Sequence, residues 1–299
     1  MDVAISGASG LIGTALVRAL EDAGHRAIRL VRGQPAAGAD EIRWQPANEE
    51  IDAASLDGVD AIVNLSGAGI GDHRWTPEYK RVLVTSRTDS TSLLATTAAS
   101  LPSPPKVLLS GSAIGYYGSQ GDTVLTEESP PGTDFLAELT VDWEAAAKPA
   151  VEAGIRTAFL RTGIVMSRDG GALPKLLPLF KLFVGGRFGS GTQYMSWITI
   201  DDEVGAIMHL LDADIAGPVN LTAPEPVTNA RFAEILGKVL GRPSVLPVPS
   251  FGPRLVLGAD RADALLFDSM RVMPEVLGTS GYAFTSADLE TGLRSVLGR

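Results

Sequence analysis

The chain has 299 residues, a formal net charge of −10 and no cysteine. This length suits one large α/β domain, or a nucleotide-binding domain with a smaller lobe. The negative charge disfavours nucleic acid and anionic membranes as partners, and the absence of cysteine excludes disulfides, thiolate zinc sites and a cysteine nucleophile. Because the sequence shows neither a signal-peptide pattern nor a run of about 18 apolar residues, we expect a cytoplasmic protein without a membrane span.

Strand and helix patterns alternate along most of the chain. Short apolar runs predict six buried strands: Val3–Ser6, Arg26–Val31, Ala61–Leu65, Val107–Ser110, Thr157–Arg161 and Pro218–Leu221. Between them, helical spacing of apolar residues predicts helices over Thr14–Ala23, Pro77–Ala99, Phe135–Ala153 and Asp201–Leu211. This alternation predicts an α/β fold of the Rossmann type, a doubly wound parallel sheet with helices on both faces.

The pattern changes after about residue 165. We predict an NADP-binding Rossmann domain over 1–165, to which 195–225 returns, and a smaller, mostly helical C-terminal substrate lobe formed by 166–194 and 226–299. Such a lobe is expected over the carboxyl ends of the strands, where ligands bind in open α/β sheets. The apolar stretch Leu173–Val184 has two interpretations, a core helix or a subunit interface, and the second would make the protein a homodimer.

A glycine turn follows the first predicted strand. It has the form G-x-x-G-x-x-G and precedes an amphipathic helix, which is the context that a dinucleotide-binding turn requires. Glycine lets the backbone approach a pyrophosphate closely, and amides at the helix N-terminus face the negative charge. The cofactor-binding residues predicted in this turn are Gly7, Ser9, Gly10, Leu11, Ile12 and Gly13.

The second predicted strand indicates which dinucleotide binds. An NAD site usually has an acidic residue about 20 residues after the turn, which accepts hydrogen bonds from the ribose. This chain instead has Arg32, and no acidic residue between Arg26 and Ala39. An arginine can pair with a 2′-phosphate, so we expect NADP. The small residues after the third strand extend the predicted cofactor site to Leu65, Ser66 and Gly67.

These motifs together resemble the extended short-chain dehydrogenase/reductase superfamily, and more closely its atypical, epimerase-like branch. The resemblance covers essentially the whole chain. Its motifs are Gly7–Gly13, Asn64–Gly71, Arg74-Trp75, Ser110–Gly118, Leu160–Val165, Gly189–Asp202, Pro218–Val227, Arg242-Pro243, Leu246–Pro249 and Gly281–Phe284. It implies a Rossmann fold, an NADP-type cofactor, and a site for a small-molecule substrate between two lobes.

The sequence lacks the catalytic pair of the wider superfamily. Those enzymes typically use Tyr-x-x-x-Lys with a serine, and the lysine lowers the pKa of the tyrosine. None of the five tyrosines here has a lysine four residues later, and the segment Phe135–Thr140 stands where the resemblance places the pair. The remaining catalytic candidates are Ser112, at the position of the superfamily's serine, with Tyr116 and Tyr117 beside it. A packing role is the alternative for both tyrosines.

Further polar and aromatic residues are weaker candidates. One set is suited to binding an anionic or ring-bearing substrate by charge and stacking: Arg74, Trp75 and Lys80. A second set is predicted to line the same cleft: Arg187, Gln193 and Trp197. Trp75 is equally well interpreted as a core anchor. Glu127 and Glu128 have two interpretations, a base near the nicotinamide or a solvated loop pair, and the second is favoured here. The three histidines are too far apart in sequence to predict a metal centre.

Two classes of function fit this sequence. The first is an NADP-dependent oxidoreductase or epimerase for a small hydroxyl- or carbonyl-bearing molecule, such as a nucleotide sugar. The second is a protein without catalysis that binds NADP(H) to sense redox state or to bind a partner. The missing pair favours the second class, and the retained serine loop favours the first. A third alternative is a reduction in which solvent donates the proton.

Overall fold

The computed structural model describes residues 1–244 and 246–299. Its strands are β1 (Asp2–Ser6), β2 (Arg26–Val31), β3 (Glu41–Gln45), β4 (Glu50–Ile51), β5 (Ala61–Asn64), β6 (Val107–Ala113), β7 (Val124–Leu125), β8 (Arg156–Thr162), β9 (Ile164–Met166), β10 (Tyr194–Met195), β11 (Trp197–Thr199), β12 (Gly217–Leu221), β13 (Val227–Thr228) and β14 (Arg271–Val272). Its α-helices are α1 (Leu11–Asp22), α2 (Ala53–Leu56), α3 (Pro77–Ser100), α4 (Phe135–Ala145), α5 (Lys148–Glu152), α6 (Leu173–Lys181), α7 (Ile200–Asp212), α8 (Asn229–Leu240), α9 (Phe251–Leu257), α10 (Ala259–Ala262), α11 (Glu275–Thr279) and α12 (Leu289–Leu297).

The central sheet has eight strands in the order β12-β8-β6-β5-β1-β2-β3-β4. All neighbours are parallel except β3 and β4. Successive side chains of a strand point to opposite faces, so Val3 and Ile5 pack with α1 and α7, while Ala4 packs with α3 and α5. The predicted doubly wound Rossmann fold is therefore confirmed. The strand order reverses at β1 and β5, and a ligand crevice is expected outside the carboxyl ends of these two strands.

The C-terminal region is joined to this sheet by small pairings. Strand β14 pairs with β7. Strand β11 pairs with β9, and β9 follows the sheet strand β8 directly along the chain. A third apolar cluster surrounds the fully buried Trp197 and includes side chains of α8 and α12. The region is largely helical, as predicted. Its division from the Rossmann part at residue 165 stays a prediction.

Asp202, in the first turn of α7, holds the end of the chain against the sheet. Its buried carboxylate accepts hydrogen bonds from the Thr199 hydroxyl, from the amide and hydroxyl of Thr285, and from the amide of Ser286. The Tyr282 hydroxyl bonds to its backbone and side-chain oxygens. Burial, together with nearness to this carboxylate, raises the pKa of Tyr282. A buried carboxylate requires several donors, and here donors far along the chain supply most of them.

The structure divides one predicted helix in two and shows which part of the apolar stretch after residue 172 is buried. The single helix predicted over Phe135–Ala153 is two helices, α4 and α5, because Pro149 suits the first turn of a new helix and not the interior of a long one. In the apolar stretch Leu173–Val184, Leu173 and Phe180 are buried whereas the residues after α6 are exposed. Within residues 1–244 and 246–299, no helix is both long and apolar enough to cross a membrane.

Candidate cofactor and catalytic site

The glycine turn lies at the carboxyl end of β1 and is closed by three glycines with different roles. Gly7 has a φ of +67°, and a Cβ there would lie 2.6 Å from the carbonyl oxygen of Leu65. A Cβ on Gly13 would overlap the Gly7 carbonyl. These two glycines are needed for the turn itself. A Cβ on Gly10 would meet only the Gly7 oxygen, at 3.2 Å, and Gly10 is exposed with an ordinary φ of −76°.

Helix α1 begins at Leu11, and Gly10 before it is an N-cap residue that supplies no side-chain hydrogen bond. Its first turn also contains no acidic residue. The first amides of a helix lack partners within the helix and carry a partial positive charge. An open glycine in front of uncapped amides is the arrangement that accepts a phosphate group. This cradle fits the pyrophosphate of a dinucleotide.

Arg32 lies immediately after β2, one strand away from the glycine turn. Its side chain is exposed and makes no ion pair within the described part of the chain, although its carbonyl accepts a hydrogen bond from Gln45. The other two arginines of this segment are engaged: Arg26 pairs with Asp2 and Asp40, and Arg29 with Glu21. Arg32 is thus the arginine at this edge whose guanidinium is available for a phosphate.

The loop after β5 forms the opposite wall of the crevice. Asn64 is fully buried and accepts a hydrogen bond from Ser6 at the end of β1. Its amide group donates to the Thr91 hydroxyl at 2.8 Å. Leu65 and Ser66 are partly buried, and Gly67 is exposed. The buried amide therefore fixes the ends of the two strands between which a cofactor would lie.

Ser112 belongs to a buried polar network that is centred on Glu144 and Arg161. Its hydroxyl donates to Oε1 of Glu144 at 2.6 Å, and only 5% of the residue is exposed. Glu144 also accepts two hydrogen bonds from Arg161, at 2.8 and 2.9 Å. Because the serine proton is directed to Glu144, its oxygen is left as an acceptor.

The two tyrosines after Ser112 occupy different environments. Tyr117 is 0% exposed; its hydroxyl donates to Asn220 at 2.7 Å and accepts from Arg161 at 3.0 Å. Burial raises the pKa of Tyr117. Tyr116 is partly exposed, and the Arg161 guanidinium lies 3.4 Å from the centre of its ring. The packing alternative thus fits Tyr117, whereas Tyr116 keeps access to solvent.

Two weaker sequence expectations are wrong. Glu127 is not a solvated loop residue: it is 8% exposed, and its Oε1 accepts the backbone amides of Asn220 and Val276. Trp197 does not line a cleft, because it is fully buried and its indole donates to the carbonyl of Glu225. Trp75 packs edge-to-face on Phe135 and donates to the carbonyl of Ile70, as expected of an anchor.

The segment Phe135–Thr140, where the resemblance places the superfamily's pair, is largely apolar and internally hydrogen-bonded. Leu136 packs beside Gly115, and the Thr140 hydroxyl donates to the Leu136 carbonyl at 2.7 Å. Thr140 is 1% exposed. Neither residue can exchange a proton in the way that a tyrosine and a lysine do. Helix α4 therefore supplies packing at this position.

Two charged residues near the carboxyl edge were not identified from the sequence. Glu203 is fully buried, accepts a hydrogen bond from Thr162 at 2.8 Å, and has a pKa raised to about 8 by burial. Arg87 on α3 has a pKa lowered to about 10 by burial. Neither stands in a local motif, so no signal in the sequence distinguishes them from surface charges.

Among the described residues, no group of three or more acidic, histidine or cysteine side chains is placed to hold a metal.

Comparison with known proteins identifies the family. The family model described as "NAD dependent epimerase/dehydratase family" matches residues 3–221, and the "domain of unknown function (DUF1731)" matches residues 248–296. The epimerase family protein Mb2239 of Mycobacterium bovis is 44% identical over 283 residues, which cover 94% of this chain and 93% of that protein.

Solved structures agree with this assignment. The human epimerase family protein SDR39U1, crystallised with NADPH, superposes with a TM-score of 0.91 at 34% identity and covers 99% of both chains. A nucleoside-diphosphate sugar epimerase from Corynebacterium glutamicum gives a TM-score of 0.81 at 37% identity, over 100% of this chain and 58% of that one. The glycine turn, the parallel sheet and these likenesses together place the chain in the NAD-dependent epimerase/dehydratase family of extended short-chain dehydrogenase/reductases.

Proposed function

We propose that this chain is an NADP(H)-binding, epimerase-like oxidoreductase that acts on a small hydroxyl- or carbonyl-bearing substrate. The observation that carries the proposal is the open cradle at Gly10, which faces the uncapped N-terminus of α1. Membership of a nicotinamide-dependent family supports it. Nucleotide sugars are the first substrate class to examine, because the Corynebacterium relative is described as a nucleoside-diphosphate sugar epimerase.

The preference for NADP over NAD rests on charge. Within the described residues the Arg32 guanidinium after β2 makes no ion pair, and the segment from Arg26 to Ala39 has no acidic residue that would repel a 2′-phosphate. The human relative at 34% identity was crystallised with NADPH, which supports the same choice. Under this proposal, Gly7, Gly10 and Gly13 hold the pyrophosphate at the turn, and Leu65–Gly67 form the other wall.

Side chains at the end of β6 and directly after it are proposed to bind the substrate and to transfer its proton. When bound, the nicotinamide would supply or accept a hydride. Ser112 is proposed to accept a hydrogen bond from a substrate hydroxyl, since its own proton is directed to Glu144. Tyr116 is proposed to bind or protonate a substrate oxygen, since it is the tyrosine of the loop with access to solvent. Tyr117 is proposed to position Arg161 and Asn220.

The second candidate function is an NADP(H)-binding redox sensor without catalysis. The observation that favours it is the burial of the residues at the expected catalytic position. Thr140, in the segment where the resemblance places the Tyr-x-x-x-Lys pair, is 1% exposed, and Ser112 is only 5% exposed. A sensor needs the cofactor cradle and a surface that responds to it, but no acid or base.

Parallel titrations and a turnover assay separate these functions. The purified protein is titrated with NADPH and NADH while nicotinamide fluorescence is followed, and it is then incubated with NADPH and a panel of carbonyl compounds and nucleotide sugars. Binding of NADPH with consumption by a panel member supports the enzyme. Binding without consumption supports the sensor, and absence of binding to either nucleotide refutes both. A Ser112→Ala variant tests whether any turnover uses the proposed serine.

A further inference from the structure

Arg87 on α3 carries a positive charge that no carboxylate of the described chain neutralises. Its guanidinium donates to the carbonyl oxygens of Leu83 at 2.9 Å and Ala68 at 3.0 Å. Desolvation lowers its pKa to about 10, and the charge of Tyr79 opposes this effect. A partly desolvated cation without a counter-ion is costly. Two hydrogen bonds to backbone carbonyls do not neutralise its charge, and a bound anion would.

The guanidinium lies directly beneath the predicted cofactor loop. A Cβ on Gly67 would be 3.1 Å from Cζ of Arg87 and 3.3 Å from its Nε. Gly67 is exposed and follows Leu65 by two residues, and the Leu65 carbonyl is the group that the glycine turn contacts. Two residues of chain span at most about 7 Å. Arg87 is therefore within reach of a ligand that lies between β1 and β5.

The guanidinium also lies close to helix α4. Its Cζ lies 5.1 Å from the ring centre of Trp143. Trp143 follows Thr140 by three residues, so both lie on the same face of the helix. Thr140 ends the segment Phe135–Thr140, in which the resemblance places the superfamily's tyrosine and lysine. The positive charge missing from α4 is thus present a short distance away, on the neighbouring helix α3.

The guanidinium of Arg87 has N–H groups that are not used by its two backbone hydrogen bonds. Of the five N–H groups of a guanidinium, two are directed to the carbonyls of Leu83 and Ala68. The Nε atom is not one of the buried atoms left without a hydrogen-bond partner. The residue as a whole is only half-buried, so a ligand can reach its remaining N–H groups. Ribose hydroxyls and phosphate oxygens are good acceptors for such donors. The distal half of a dinucleotide, beyond the pyrophosphate held at the glycine turn, would offer both.

We propose that Arg87 binds the nicotinamide mononucleotide half of NADP(H) and supplies from α3 the positive charge that α4 lacks. This inference rests on the proposed binding of NADP(H). It assigns opposite ends of the cofactor to two arginines, Arg87 at the nicotinamide end and Arg32 at the 2′-phosphate end. The alternative is that Arg87 only fixes the loop through its bond to Ala68.

Fragment binding distinguishes these roles. The dissociation constants of NADPH and of 2′,5′-ADP, which lacks the nicotinamide half, are measured by calorimetry for the wild type, Arg87→Gln, Arg87→Lys and Arg32→Gln. Loss of a hydrogen bond from a charged group lowers affinity roughly ten- to a hundredfold. We expect Arg87→Gln to lose this factor for NADPH and to keep the wild-type affinity for 2′,5′-ADP, with Arg87→Lys between the two. Arg32→Gln should weaken both ligands.

Other outcomes overturn the inference in recognisable ways. Wild-type NADPH affinity in a folded Arg87→Gln variant, or an equal loss for both ligands, leaves Arg87 as a support for the loop. Failure of the wild type to bind NADPH removes the proposed function and this inference together. If the variants do not fold, the Nε–H resonance of Arg87 is followed by NMR in the wild type. A shift with NADPH but not with 2′,5′-ADP supports the inference, and equal behaviour refutes it.

Discussion

Ser112 and Arg161 lie opposite each other on the parallel strands β6 and β8, and both bind the carboxylate of Glu144. Asn220 continues the same row on β12, opposite Arg161. Three adjacent strands thus place a serine, an arginine and an asparagine in register at the carboxyl edge. The network they form is buried, so its geometry is fixed before any ligand arrives.

The Glu144–Arg161 pair should dominate the stability of this edge. Glu144→Ala would leave Arg161 buried without a counter-ion, and such losses cost about 3–5 kcal/mol. The matched control is Glu152→Ala, which breaks the exposed pair with Lys148 and should cost no more than about 1 kcal/mol. The free energy of unfolding in urea measures both. Similar values for the two variants would contradict a stabilising role for the buried pair.

The two tyrosines should respond differently to loss of the hydroxyl. Tyr117→Phe removes the donor to the buried Oδ1 of Asn220 and one of the acceptors of Arg161, so we expect it to lose about 1–3 kcal/mol of unfolding free energy. Tyr116→Phe should leave stability unchanged and lower any turnover. Thermal unfolding and the panel assay are the measurements. A Tyr117→Phe variant with normal stability and no turnover would return Tyr117 to the catalytic role.

Gly10 and Gly13 should separate binding from folding. Gly10→Val places a side chain over the amides of α1, where only the Gly7 oxygen is near, so we expect NADPH binding to disappear while the fold is kept. Gly13→Val collides with the backbone of Gly7 and should lower the melting temperature as well. Fluorescence titration and thermal unfolding distinguish the two. Wild-type affinity in Gly10→Val would remove the turn from the cofactor site.

Charge reversal tests the 2′-phosphate assignment. Arg32→Glu should weaken NADPH far more than NADH, because only NADPH has the phosphate that the new carboxylate repels. Arg18→Glu changes the charge equally on the exposed side of α1 and serves as the control. The ratio of the two dissociation constants is the quantity measured. Equal weakening of NADPH and NADH by Arg32→Glu would assign Arg32 another role.

Glu203 should make stability depend on pH in a defined window. Its pKa is raised from 4.5 to about 8, so the folded protein holds this proton more tightly than the unfolded chain. Relative to Glu203→Gln, the free energy of unfolding should therefore fall as pH rises from about 4.5 to about 8, by about 1.4 kcal/mol per unit in the middle of that window. Asp201→Asn, on the exposed side of the same turn, is the control. A constant difference between wild type and Glu203→Gln would contradict this assignment.

Sequence predicted the features that depend on neighbouring residues. The six main strands are short apolar runs, and the glycine turn is a local motif, so both were found in place. The acceptors and donors of buried polar groups were not predictable. Glu127 was interpreted as solvated because the amides that satisfy it belong to Asn220 and Val276, which are 93 and 149 residues away. Arg87 was missed for the same reason, since Gly67 and Trp143 approach it only in the fold.

The carboxylate of Asp202 has a consequence for how the molecule can be divided. Its donors Thr285 and Ser286 lie within 248–296, the segment that matches a domain of unknown function, while Asp202 itself belongs to the first turn of α7. Removing the last twenty residues would strip a buried carboxylate of most of its partners. We therefore expect that this segment is not an independently folding domain. Expressed alone it should stay unstructured, and a chain truncated before it should be insoluble.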